Sequence, residues 1–281
     1  MLTGKYLFSW NLTTCEPSWP DPWRVVSACA HAGVASLLIK VSDGAGVFNE
    51  DRSKDPSDPL YQAPVKRLVA ACLEMGIRPV GWGFVYGPAD NAGNPFSLAH
   101  ATAEGEKLGE QCRDLGMAEC WIDAEGSFEQ SGPDGEPAVY AKAICEALKG
   151  VYSGPLCLSS FWKPQVHSAL PWHTFCAEIA ERGNGAVSPQ VYPEGPADPG
   201  PMLRESHDEF TGYLEAYPGL QFFPTCAINA DDGGGNAAGV KNFCATADSL
   251  GLRGGAAWVL DEAIPSMTAA FAAWTPKGPT P

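Results

Sequence analysis

The residues of this 281-residue chain best placed to do chemistry lie in Trp121-Ile122-Asp123-Ala124-Glu125-Gly126. The run reads as a short strand that ends in two carboxylates and a glycine. Side chains on a strand alternate between faces, so Trp121, Asp123 and Glu125 share one face, and Ile122 and Ala124 the other. Two neighbouring acids raise each other's cost of ionisation. A carboxyl group kept protonated in this way can act as a proton donor near neutral pH. The same two acids could instead cap the following turn or face water, so the surrounding elements have to decide between these readings.

Those elements alternate along the whole chain. Tyr6 to Trp10, Ala35 to Val41 (ASLLIKV), Arg78 to Tyr86 (RPVGWGFVY) and the carboxylate run read as the first four strands. Pro155 to Ser160, Ala186 to Tyr192, Leu220 to Ala227 and Gly255 to Leu260 read as the next four, with Pro189 an awkward residue inside the sixth. Between them lie stretches with helical spacing, the clearest being Pro59 to Met75 with Val65, Leu68, Val69 and Cys72 on one stripe, and Pro95 to Leu115. Glycines such as Gly33, Gly76 and Gly116 close helices, where a left-handed backbone is needed. Strict strand–helix alternation implies a parallel sheet with right-handed crossovers. Eight such pairs predict a single (β/α)8 barrel over residues 1–274, followed by a Pro-rich tail over residues 275–281.

A barrel of this kind carries its functional groups at the C-terminal ends of the strands. Those ends carry Trp10 and Asn11, Ser42 and Asp43, Tyr86, Asp123 and Glu125, Ser160 and Trp162, Gln190, Tyr192 and Glu194, Asn229, and Trp258 with Asp261. This set is aromatic and acidic, and it contains no lysine or arginine. It suits a sugar, which stacks a C–H face on a ring and hydrogen-bonds to carboxylates. It does not suit a phosphorylated ligand, which needs cations and helix N-terminal amides. The Gly233-Gly234-Gly235 run lacks the Lys-Ser/Thr of a phosphate-binding loop and reads as a plain loop. Asp261, beside Glu262, reads as a cap of the last helix.

Composition narrows the partners further. The formal net charge of −15 argues against nucleic acid and gives no polybasic membrane patch. No stretch is apolar for long enough to span a bilayer. The ten cysteines are dispersed, without CxxC spacing, mostly within apolar patterns, and read as buried reduced thiols. No histidine stands at a strand end, so no cofactor or metal is expected. The N-terminus enters a strand directly, without a secretory signal pattern, so synthesis in the cytoplasm is expected.

The order of these pieces resembles the family 25 glycoside hydrolases, the lysozyme-type muramidases common among bacteriophage lysins. The resemblance rests on Leu38-Ile39-Lys40-Val41-Ser42-Asp43-Gly44, on Gly76-Ile77-Arg78-Pro79-Val80-Gly81-Trp82-Gly83-Phe84 and on Ile122-Asp123-Ala124-Glu125. The last strand, Gly254-Gly255-Ala256-Ala257-Trp258-Val259-Leu260-Asp261, is similar to that of the family 18 chitinases, whose final-strand Trp floors the sugar site. The resemblance implies hydrolysis of a β-1,4-linked amino-sugar polymer, peptidoglycan or chitin-like. A protein of that kind would be released by a phage or carried in a virion. Glu125 would be the general acid. Asp123 would hold the proton of Glu125, orient an acetamido group or stabilise oxocarbenium-like charge. Gln190 and Tyr192 would hydrogen-bond the sugar, and Trp258 and Tyr86 would stack on it, with Trp10 beside them.

One position departs from the family. The muramidases end their first strand in an aspartate, whereas this chain has Ser9-Trp10-Asn11. Asn11 cannot ionise. Glu194 or Asp43 could supply the missing carboxylate, or the substrate's own acetamido group could assist. A carbohydrate- or cell-wall-binding barrel without hydrolysis is the alternative reading.

Overall fold

The computed structural model describes residues 2–12, 22–51, 53–193, 197–230 and 236–277. Glu194 and the Gly233-Gly234-Gly235 run lie outside the described residues.

The chain forms the expected barrel. Its strands are β1 (Gly4–Ser9), β2 (Val34–Asp43), β3 (Gly46–Val47), β4 (Arg78–Val85), β5 (Cys120–Ala124), β6 (Leu156–Phe161), β7 (Ala186–Val191), β8 (Gln221–Phe222), β9 (Thr225–Ala227) and β10 (Gly254–Trp258). The sheet runs β1-β10-β9-β7-β6-β5-β4-β2 and closes through parallel pairing of β1 with β2. Around it lie α1 (Pro22–His31), α2 (Ala63–Glu74), α3 (Leu98–Asp114), α4 (Pro137–Val151), α5 (Trp172–Ala180), α6 (Pro199–Ala216), α7 (Ala237–Ser249) and α8 (Pro265–Ala272). No helix among the described residues is long and apolar enough to cross a membrane.

Period-two alternation sorts the apolar residues into two cores. Leu7, Leu37, Ile39, Ile122, Leu158 and Val187 face the helices, while Tyr6, Phe8, Leu38, Trp82, Trp121 and Cys157 fill the barrel. The filling is largely aromatic. Phe8 meets Trp82, Trp121 and Trp258 edge-on, with ring centroids 5.5, 5.5 and 5.4 Å away. Such edge-to-face pairs place a positive ring edge against a negative ring face. Beneath them the barrel is closed by a polar knot. Glu119 accepts from Tyr6 at 2.7 Å, from Arg78 at 2.7 Å and from the Trp121 indole at 3.2 Å. The barrel is therefore plugged from below.

Three elements differ from the sequence reading. The seventh barrel position is two short strands, because Pro224 interrupts the ladder between β8 and β9. Helix α2 starts at Ala63 rather than near Pro59, since Asp55 and Asp58 turn back onto the backbone N–H groups of Ser57 and Leu60. The spacing from about His167 to Glu181 predicts a further helix, but α5 starts only at Trp172, because residues 164–169 form turns before Pro171. Pro189 is accommodated in β7, in register with Ser160. All nine cysteines among the described residues are buried and unbridged.

Candidate active site

The acid pair sits where β5 ends. Asp123 is in register with Ser159 of β6, so both side chains point into the barrel. Asp123 is 6% exposed, whereas Glu125, one step further up the same face, is half-buried. The two acids share a single partner. The Gln190 amide, at the end of β7, donates to Asp123 Oδ1 at 3.0 Å and to Glu125 Oε1 at 2.9 Å, and lies 3.2 Å from Ser159 Oγ. Burial pushes the Asp123 carboxyl well above the usual carboxylate range. The charge of Glu125 pushes the same way, while Lys40 and the Ser159 hydroxyl act against it. The arrangement can therefore hold a proton on the pair and present it to a group in the mouth.

Trp258, half-buried at the end of β10, packs its ring 5.5 Å from that of Trp82 and 5.4 Å from that of Phe8. The peptide bond that follows it is cis. On the β2 and β4 side, the Tyr86 hydroxyl donates to Asp43 Oδ2 at 3.4 Å. Asp43 Oδ1 pairs with Lys40 at 3.0 Å. The structure thus joins Asp123, Glu125 and Gln190 in one cluster and Asp43 and Tyr86 in another. Tyr192 is half-buried just past β7, its backbone N–H bonded to the Gln190 carbonyl at 2.9 Å.

Two expectations need correction. The mouth does contain a cation. Lys40, 6% exposed in the middle of β2, reaches over the Phe48 and Trp82 rings at 4.3 and 5.1 Å. It was missed because it lies three residues before the strand end, although a lysine inside an otherwise apolar strand is itself a signal. Asp261 does not cap the last helix, whose N-cap is Ile264. Its carboxylate instead accepts the backbone N–H of Trp10 at 2.8 Å, that of Asn11 at 2.5 Å and the Ser9 hydroxyl at 3.1 Å. The end of β1 is thereby tied to the unit after β10, and a carboxylate from the last unit stands beside the point where the muramidases carry theirs. Asn49, with a positive φ of 59°, completes this corner by donating to the carbonyls of Trp10 and Lys40 at 2.9 Å each. Trp10 is 37% exposed at the rim.

The fold is shared with solved sugar-cleaving enzymes. The C-terminal domain of a putative chitinase from Desulfitobacterium hafniense superposes with a TM-score of 0.65 at 9% identity, covering 97% of this chain and 99% of that one. An endoglucanase from Pseudomonas stutzeri gives 0.63 at 14% identity, over 98% and 97% of the two chains. A chitinase from Chromobacterium violaceum gives 0.61 at 13% identity, over 96% and 98%. Likeness at such identities shows the barrel and its closure, not the chemistry. No family model and no curated protein matches the chain, so the family 25 resemblance is not confirmed.

Further groups around the site went unread in the sequence. Ser159 looks like one more small strand residue until its register with Asp123 is known. Glu104 lies on α3, far from any strand end in the sequence, yet its carboxylate reaches the backbone after β4.

Proposed function

We propose that the chain is a glycoside hydrolase acting on a β-1,4-linked amino-sugar polymer, with peptidoglycan the favoured substrate. Glu125 protonates the leaving glycosidic oxygen. Asp123, held largely protonated by its burial, keeps the proton of the pair available to Glu125. Gln190 fixes both carboxyl groups, Trp258 floors the sugar, and Tyr86 and Tyr192 flank it. The observation that carries this reading is the single Gln190 amide shared by two acids above an aromatic floor. The similar folds of an endoglucanase and of chitinases support it as well.

Asp123 is not the nucleophile in this scheme. A nucleophile supplied by the substrate's own acetamido group or by a carboxylate at the mouth would retain the anomeric configuration.

Clearing of purified cell walls, run in parallel with chitin, tests the proposal. Wild type should clear walls, and Glu125→Gln should lose about 10²–10⁴-fold in rate, the usual contribution of a positioned acid. Equal clearing by both proteins would remove Glu125 from the mechanism. Asn11, the non-ionisable residue after β1, favours a second reading, a wall-binding barrel without hydrolysis. Binding to walls without release of reducing ends would establish it.

A further inference from the structure

Glu104 is completely buried on α3, and the proposed mechanism does not use it. A carboxylate in such a place is costly unless it is hydrogen-bonded. Its bonds go to the two residues that follow β4. Oε1 accepts the backbone N–H of Tyr86 at 3.1 Å, and Oε2 accepts that of Gly87 at 2.9 Å. The loop after β2 packs onto the same group, since a Cβ added to Gly44 would lie 3.2 Å from Glu104 Oε1 and 3.0 Å from the Tyr86 ring. These two loops carry Asp43 and Tyr86, joined at 3.4 Å.

We propose that Glu104 is a positioning residue, a buried latch whose carboxylate fixes the loops after β2 and β4 so that the Tyr86 hydroxyl stays on Asp43 and the two form one wall of the mouth. Its consequence for sugar binding rests on the glycosidase reading. The latch itself does not.

The latch must respond to pH. Burial, helped by the charge of Asp43 on β2, lifts the Glu104 carboxyl from 4.5 to about 7 against the pull of the two N–H groups. His100 faces it from the same helix at 3.4 Å. His100 stacks on Phe96 at 3.9 Å and is held below its usual range by burial, so it is largely neutral where Glu104 titrates. Tyr86, just past β4, is raised by burial and by Asp43 and stays a donor throughout. Above about 7 the carboxylate accepts both amides. Below it the protonated group competes with one of them for an oxygen.

Heteronuclear NMR of the full chain reads this directly. In wild type the amide protons of Tyr86 and Gly87 should shift together with a midpoint near pH 7. In Glu104→Gln they should not titrate. Tyr86→Phe, which leaves the backbone latch in place, should keep the amide titration. His100→Asn should keep it too, which assigns the event to Glu104. On soluble amino-sugar oligomers, KM should rise about tenfold in Glu104→Gln and in Tyr86→Phe with kcat within about twofold, as when a binding contact shared by ground and transition states is lost. Wild-type KM should rise as pH falls through 7, and KM of Glu104→Gln should not. Amide shifts that are flat with pH in wild type, or that still titrate in Glu104→Gln, overturn the proposal whatever the sugar assay gives. Amides that titrate as described, in a protein that neither binds nor cuts any sugar, uphold the latch and sink the glycosidase reading.

Discussion

Gln190 is the residue on which the acid pair most depends. It donates to both carboxyl groups, and such bonds favour the ionised form of each. Gln190→Leu removes them, so less opposes the burial and mutual repulsion that keep the pair protonated. The expected result is a loss of about 10- to 100-fold in kcat, the worth of one or two hydrogen bonds to a charged group. The alkaline limb of the kcat profile should also move to higher pH, because the pair then holds its proton more tightly. An unchanged profile would mean that the amide does not govern the pair. Lys40 works in the opposite sense to burial, since its charge lowers Asp123. Lys40→Met should therefore move the same limb upward without removing any group proposed to touch the sugar. The acids and Gln190 were legible in the sequence because each stands at a strand end. Lys40, Ser159 and Glu104 were not, because their importance comes from register and from a helix crossing that no local pattern encodes.

At the scale of elements, α3 does two jobs. Its buried face supplies Glu104, and its glycines let it lie close to α4. A Cβ on Gly105 would come within 2.2 Å of the Ile144 carbonyl oxygen, and one on Gly109 within 2.5 Å of the Val151 side chain. Backbone cannot yield as a flexible side chain can, so Gly105→Ala should push the helices apart. The expected cost is about 1–3 kcal/mol of stability, the range for overpacking, read as a lower denaturant midpoint. KM should rise as well, because the displaced helix carries the latch. A loss of stability with KM unchanged would separate the two jobs. The eight strand–helix pairs were legible because alternation and glycine stops are local signals. The errors arose where local chemistry was misjudged. Pro224 splits a strand, Asp55 and Asp58 hold turns where helix was expected, and Asp261 bonds across the barrel closure to β1 instead of to its own helix.

For the whole molecule, the buried acids set the sign of the pH dependence of stability. The folded state holds Glu104 protonated up to about 7, whereas an exposed glutamate loses its proton near 4.5. Between those values the folded chain binds more protons than the unfolded one, so stability falls as pH rises across that window and is level above it. Asp123, raised in the same direction, adds to the fall. The Glu104 share is on the order of 2 kcal/mol, enough to move a melting temperature by several degrees. Wild type should therefore melt higher at pH 5 than at pH 8, and the smaller share of its net charge of −15 carried at the lower pH adds to the difference by relieving self-repulsion. Glu104→Gln separates the two contributions. It keeps the self-repulsion and removes the buried titration, so its melting temperature should fall less between pH 5 and pH 8. Equal slopes for the two proteins would place the effect in net charge alone. The ionised latch thus costs stability in the pH range where it holds the mouth in shape.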